Sequence, residues 1–158
     1  MNATLSRLLA ASVLALSGHI ALAADTEPAA AAADALASAR AQIAANQWRA
    51  AIDELKRIND TGSADWNNLM GYSLRKAKTP DLEGAERHYA EALRIDPKHR
   101  GALEYSGELY LMKGDLAKAE ERLATLDKLC RLPCAEYTDL KKALAAYKNN
   151  GNRYVAAK

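Results

Sequence analysis

The chain of 158 residues has no phenylalanine, 2 cysteines, 2 tryptophans and 4 prolines. Without phenylalanine, Tyr, Trp and Leu must supply the large side chains of any core. The charge is nearly balanced, with 22 Lys and Arg against 20 Asp and Glu, and the bases do not cluster. That excludes the basic footprint of a nucleic-acid binder. No glycine-rich phosphate loop and no Gly-x-Ser-x-Gly turn occurs, so the motifs that announce nucleotide or acyl-transfer chemistry are missing. No catalytic residue, no cofactor and no metal are expected, and the chain reads as a non-enzyme. Its length suits one domain.

The first residues stand apart. Arg7 is the only charge before Ala24, and the apolar run "LLAASVLAL" follows it. A basic start, a short apolar core and a small-x-small site at Ala21 and Ala23 read as a secretory signal peptide over residues 1–23. Ser17, Gly18 and His19 interrupt the run, which falls short of the roughly 20 apolar residues of a membrane helix. An uncleaved N-terminal anchor is the alternative. Export without stable membrane insertion after cleavage is expected. Residues 24–31 are an alanine-rich linker that grades into helix, alanine being the best helix former.

From about Ala32 a repeat emerges. Ala51, Ala85 and Ala119 are spaced by 34 residues, and Leu55, Tyr89 and Leu123 follow them in register. Ala39 and Gly107 precede the first and third of these alanines by 12 residues; Gly71 precedes the second by 14. The middle unit thus has extra residues in its internal turn, "KAKTPDLEG". Small residues at fixed intervals between apolar heptad-like runs describe helical hairpins whose helices cross closely. One such hairpin cannot bury its own apolar face, so units stack. Helices are expected near 32–45, 48–59, 64–77, 82–95, 99–112 and 116–130. Asp96-Pro97 should end a helix, and Gly114-Asp115 should make a tight turn. Tyr137, Leu140, Leu144 and Tyr147 mark one face of a last helix near 135–149, with Asp139, Lys141, Lys142 and Lys148 opposite and Asn-Gly closing it.

The segment "WNNLMGYSLRK…EGAERHYAEALRIDP" resembles the tetratricopeptide repeat family through Gly71, Ala85, Tyr89, Ala92 and Pro97. "GELYLMKGDLAKAEERL" is a second match through Gly107, Tyr110, Gly114 and Ala119. "NQWRAAIDELKRI" matches the second half of a unit through Trp48, Ala51 and Leu55. The resemblance implies an all-α superhelix, a solenoid of about three hairpins plus a C-terminal capping helix. The domain would span 32–150, with repeats at about 32–65, 64–99 and 100–133 and a tail at 151–158. An unrelated helical bundle is the alternative.

Cys130 and Cys134 flank Pro133. In an exported protein a cysteine pair suggests a disulfide, and i,i+4 residues near a helix end lie about 6 Å apart at Cα, within disulfide range. Proline cannot continue a helix, so the chain turns between them. Two rivals stay open. A redox pair wants Cys-x-x-Cys in a βαβ setting. A metal site usually wants four ligands, and neither His88 nor His99 has ligand spacing to the pair. His88 reads as a partly exposed helix residue and His99 as solvated. Trp48 and Trp66 read as core, with Trp66 the more exposed. The acids of "AERHYAE" and "AEERL" read as solvated helix faces with local ion pairs.

The family resemblance implies that the first helix of each hairpin lines a concave groove that takes up a peptide or helix of a partner. The candidates are Arg40 and Ile43, then Asn68, Tyr72, Arg75 and Lys76, then Glu104, Glu108, Leu111 and Met112. Tyr72 with Arg75 leads, because Tyr and Arg dominate interface hot spots. Gly101 and Tyr105 stand where carboxylate-clamping bases would be in some family members, which disfavours that role. The expected function is a non-catalytic interaction or scaffold module in the bacterial cell envelope. The periplasm is expected from resemblance to small bacterial members. The alternatives are a thiol-redox or metal-handling accessory using Cys130 and Cys134, and a self-associating structural protein in which a second copy covers the weak first repeat.

Overall fold

The computed structural model describes residues 35–132 and 134–154. The expected signal peptide, the linker, Pro133 and the end of the tail lie outside these residues. Among the described residues there are seven helices and no strand. They are α1 (Ala37–Ala44), α2 (Trp48–Ile58), α3 (Ala64–Lys76), α4 (Leu82–Ile95), α5 (Arg100–Lys113), α6 (Leu116–Leu129) and α7 (Ala135–Asn149).

Local chemistry sets the boundaries. The Ser63 hydroxyl accepts the Trp66 N–H at 3.2 Å, the Asp81 carboxylate accepts that of Gly84 at 2.8 Å, and Asp115 accepts that of Lys118 at 3.1 Å. Each satisfies an orphan amide of a helix start. At the other ends, Asn59 (φ 53°) and Gly114 (φ 78°) adopt the left-handed conformation that terminates a helix. The Gly114 N–H reaches Leu111 O and the Asp115 N–H reaches Tyr110 O, which makes the tight turn of the third hairpin. The second hairpin spends residues 77–81 on its turn, where its extra residues were expected.

The 34-residue register is the packing register. Ala39, Ala51, Ala85 and Ala119 are all 0% exposed. A Cβ on Gly71 would lie 2.8 Å from Tyr89 Cε1 and 3.1 Å from the Ala85 carbonyl oxygen. A Cβ on Gly107 would lie 2.5 Å from Leu140 Cδ2. Gly71 therefore lets α3 approach α4, and Gly107 lets α5 approach α7. Leu140, Leu144 and Tyr147 are buried against the third hairpin, with Tyr137 at the edge of that cluster.

The array has an inner and an outer row. The first helices α1, α3, α5 and α7 each pack on the next first helix. The second helices α2, α4 and α6 pack mainly on their own partner and on the following first helix. The row whose members touch is the concave one. The fold is an all-α helical-repeat solenoid with a capping helix.

Four expectations are corrected. Trp66 is buried, its Nε1–H donating to Leu55 O at 2.8 Å; Trp48 is the partly exposed one. His99 is not a solvated turn residue. Its Nδ1 accepts the Ala102 N–H at 3.1 Å and caps α5, while its Nε2 meets Asp65 Oδ1 at 2.9 Å. Leu111 is 1% exposed and belongs to the core rather than the groove. The acids of "AERHYAE" are local in part only: Glu91 pairs with Arg94 at 2.7 Å, but Glu86 pairs with Lys113 of the next hairpin.

The Cys130 and Cys134 sulfurs are at bonding distance, with Cα atoms 5.8 Å apart. Cys130 ends α6 and Cys134 precedes α7, so the bond spans the corner between the third hairpin and the cap.

Gly71→Ala should destabilise the fold by about 1–3 kcal/mol through overpacking, despite alanine's better helix propensity. Gly62→Ala, where nothing lies within 4 Å of the added Cβ, should be near neutral; urea denaturation of both variants is the check. Reducing the disulfide should lower stability by about 2 kcal/mol, the value for so short a loop. Hydrogen exchange should show the loss of protection concentrated in α7.

Candidate functional site

The groove is built on two faces. On α3, Asn68, Tyr72 and Arg75 recur at i, i+4 and i+7; on α5, Gly101, Glu104, Tyr105 and Glu108 share one face in the same way. The two faces meet ring to ring, with Tyr72 and Tyr105 centroids 4.5 Å apart. Trp48 continues the row on the other side, 5.8 Å from Tyr72 in an edge arrangement. Lys76 extends over Trp48 with its ammonium 6.0 Å from the ring centroid.

Arg75 lies beneath this aromatic row. Its side chain is only 2% exposed, and its guanidinium meets Glu108 at 2.7 Å. Nε also donates to the Tyr89 hydroxyl at 3.4 Å, and Nη1 approaches Met112 Sδ at 3.9 Å. The guanidinium carbon is 5.4 Å from the Tyr72 ring centroid and 5.7 Å from that of Tyr105. This is a buried cation saturated by an acid, a phenol and two π faces. Tyr154, from the segment after α7, is also within electrostatic reach of Arg75 and Glu108. It folds back toward the groove and rests partly on the third-hairpin core.

The expected site residues divide accordingly. Asn68, Tyr72, Arg75, Glu104, Glu108 and Met112 converge on the α3–α5 surface. Lys76 stands at its Trp48 end. Arg40 is exposed and engaged away from the groove, where it pairs with Asp65 at 2.8 Å, and Asp65 also meets His99. These three residues tie α1, α3 and the start of α5 together. Burial alone would raise the Asp65 pKa; hydrogen bonding to His99 and the charge of Arg40 more than offset it and hold the carboxyl below its ordinary value. Ile43 packs partly buried against the first core cluster.

Residues 80–144 match the family model described as tetratricopeptide repeat. This segment carries the tetratricopeptide repeat. The match runs from the turn before α4 into the capping helix α7, so it takes in the α5 face of the groove. No curated protein matches the chain. Repeats of this family are in general protein-interaction modules.

Sequence reasoning places two side chains of this repeat protein's groove elsewhere. Trp48 reads as core, and Tyr105 enters only as the residue standing in place of a base. Their positions carry the signal: Tyr105 is one turn beyond Gly101, facing Tyr72, and Trp48 opens α2 beside the end of α3. Tyr154 lies in a tail with no periodicity to place it.

Breaking the Arg75–Glu108 pair from one side should be severe. Arg75→Met alone should cost about 3–5 kcal/mol, because it leaves a half-buried carboxylate without its partner. The double variant Arg75→Met/Glu108→Leu should recover most of that loss. Thermal and chemical denaturation of the two variants against wild type gives the comparison.

Proposed function

We propose that this protein is a non-catalytic binding module that takes a partner polypeptide into the concave groove of its repeats. The observation that carries the reading is the row Trp48–Tyr72–Tyr105, which draws one ring from each of the three hairpins. Tyrosine and tryptophan there offer large contact area with few rotatable bonds. The rings rest on a fixed buried ion pair, so little of the surface needs ordering when a partner arrives. Arg75 shapes this surface from beneath rather than touching the partner itself.

The reading extends to the cell envelope, with the periplasm as the compartment. The N-terminal sequence pattern of a signal peptide supports it, and the cysteine pair at bonding distance fits an oxidising compartment.

Crosslinking in cells followed by affinity capture tests the groove. Lys76→Ala changes the groove away from the Arg75–Glu108 pair, and Tyr72→Ala removes one of the two rings over Arg75 while leaving both members of the ion pair in place. Glu121→Ala changes the exposed second helix of the third hairpin and serves as the control. The specific crosslinks should fall by an order of magnitude or more in Tyr72→Ala, less in Lys76→Ala, and stay unchanged in Glu121→Ala. Equal capture by all three would place the binding surface elsewhere.

A further inference from the structure

Beside the saturated Arg75–Glu108 pair stands an acid with no partner among the described residues. Glu104 is 8% exposed. Among the described residues its carboxylate makes neither an ion pair nor a hydrogen bond, yet it is not among the sealed unsatisfied atoms. It is largely buried, but its carboxylate is not wholly closed off from solvent. The groups around it are known from each neighbouring element. From α3 come Tyr72 and Arg75, and from its own helix Tyr105 and Glu108. From α7 come Glu136 and Asp139. The nearby bases are already committed, Arg75 to Glu108 at 2.7 Å and Arg100, one turn before Glu104, to Glu136 at 3.6 Å. Burial first, then the three neighbouring acids, push the Glu104 pKa up to about 8. The empty groove thus holds this carboxyl largely protonated at neutral pH.

The surface beside it favours an incoming cation. The Tyr72 and Tyr105 rings already accept a guanidinium on one side. Gly101 keeps the surface open one turn before Glu104, where a Cβ would stand 3.1 Å from the Asn68 amide nitrogen. A metal ion is the poorer match, because among the described residues no group of three or more acids, histidines or cysteines is placed to hold one.

We propose that the groove beside Glu104 receives a lysine or arginine side chain of the partner polypeptide, its cationic head ion-pairing with the Glu104 carboxylate and lying against Tyr105. This rests on the groove being the binding surface, and it names what the groove selects. Binding then carries a proton balance. Glu104 gives up its proton to solvent as the cation arrives, so affinity rises with pH up to about 8. The positive charge also relieves the repulsion among Glu104, Glu108, Glu136 and Asp139.

The test is a selection of random decapeptides displayed on phage against the full chain at pH 8, with Tyr72→Ala as the counter-target. Enriched peptides are then synthesised and their affinities measured by fluorescence anisotropy. The expected result is a lysine or arginine at one fixed position. Replacing it with norleucine should weaken binding about 10- to 100-fold, the range of a hydrogen bond to a charged group. Glu104→Gln should weaken the basic peptide to the same extent and leave the norleucine peptide unchanged. A thermal melt of Glu104→Gln confirms that it is folded. Lowering the pH from 8 to 6 should weaken the basic peptide several-fold on wild type and much less on Glu104→Gln. Tyr72-dependent peptides with no fixed basic residue would overturn this inference while leaving the groove reading intact. If no enriched peptide depends on Tyr72, both fall.

Discussion

The close crossing of helices at residues with little or no side chain is the constraint on which the rest of this structure depends. At Gly71 a single added carbon would stand 2.8 Å from the Tyr89 ring. The helices around that contact can approach only because nothing projects there. Close approach in turn sets how far each hairpin rotates on the next. It brings the first helices into one touching row and leaves the second helices outside. Alanine at 51, 85 and 119, each 0% exposed, repeats the same demand on the outer row. An inner surface therefore exists because backbones, not side chains, fix the distance between layers.

That geometry also decides what the inner surface can carry. Side chains of adjacent first helices face each other across a short gap, so a charge placed there is drawn out of water. Arg75 and Glu108 meet that demand together, and Tyr89 and Met112 complete the guanidinium's surroundings. A pair of this kind contributes little net stability against an apolar replacement, but it holds the tyrosines above it in place. Glu104 meets the same demand with no partner among the described residues. A buried acid among acids is a poor choice for stability alone. Such an arrangement belongs where the missing charge is supplied from outside.

The legibility of the chain follows the range of the forces involved. Helix ends are plain because their causes are local: Ser63, Asp81 and Asp115 cap the helices they precede, and Gly114 turns the chain as expected at that position. The repeat register is plain because Gly71, Ala85, Gly107 and Ala119 must be small for one shared reason. The family resemblance also points to the first helices, and these are the ones that touch from hairpin to hairpin. What stays hidden is set across hairpins. His99 caps its own helix locally, yet the partner that orients its other nitrogen is Asp65, 34 residues away. Arg75 reads as an exposed contact because nothing within its own helix predicts Glu108 at 2.7 Å from the following hairpin. Trp48 and Trp66 exchange roles for the same reason, since their exposure depends on which neighbour overlies them. Periodicity identifies a face of a helix; only the stacking angle says whether that face meets water, a partner helix or a charge.

The corner at Cys130 and Cys134 acquires a second meaning in this light. It lies outside the groove and bears no group the groove uses. Yet Cys134 immediately precedes α7, and the first turns of α7 carry Glu136 and Asp139, two of the acids that raise the Glu104 pKa. Leu140, one turn further on, is the residue that fills the space over Gly107. The corner and the Gly107 contact together fix where α7 begins and how it lies on α5. A change in that angle would move two negative charges relative to Glu104 and alter the acidity of the groove. The cysteine pair thus bears on the surroundings of Glu104 through position, at the start of the cap whose acids raise that carboxyl's pKa.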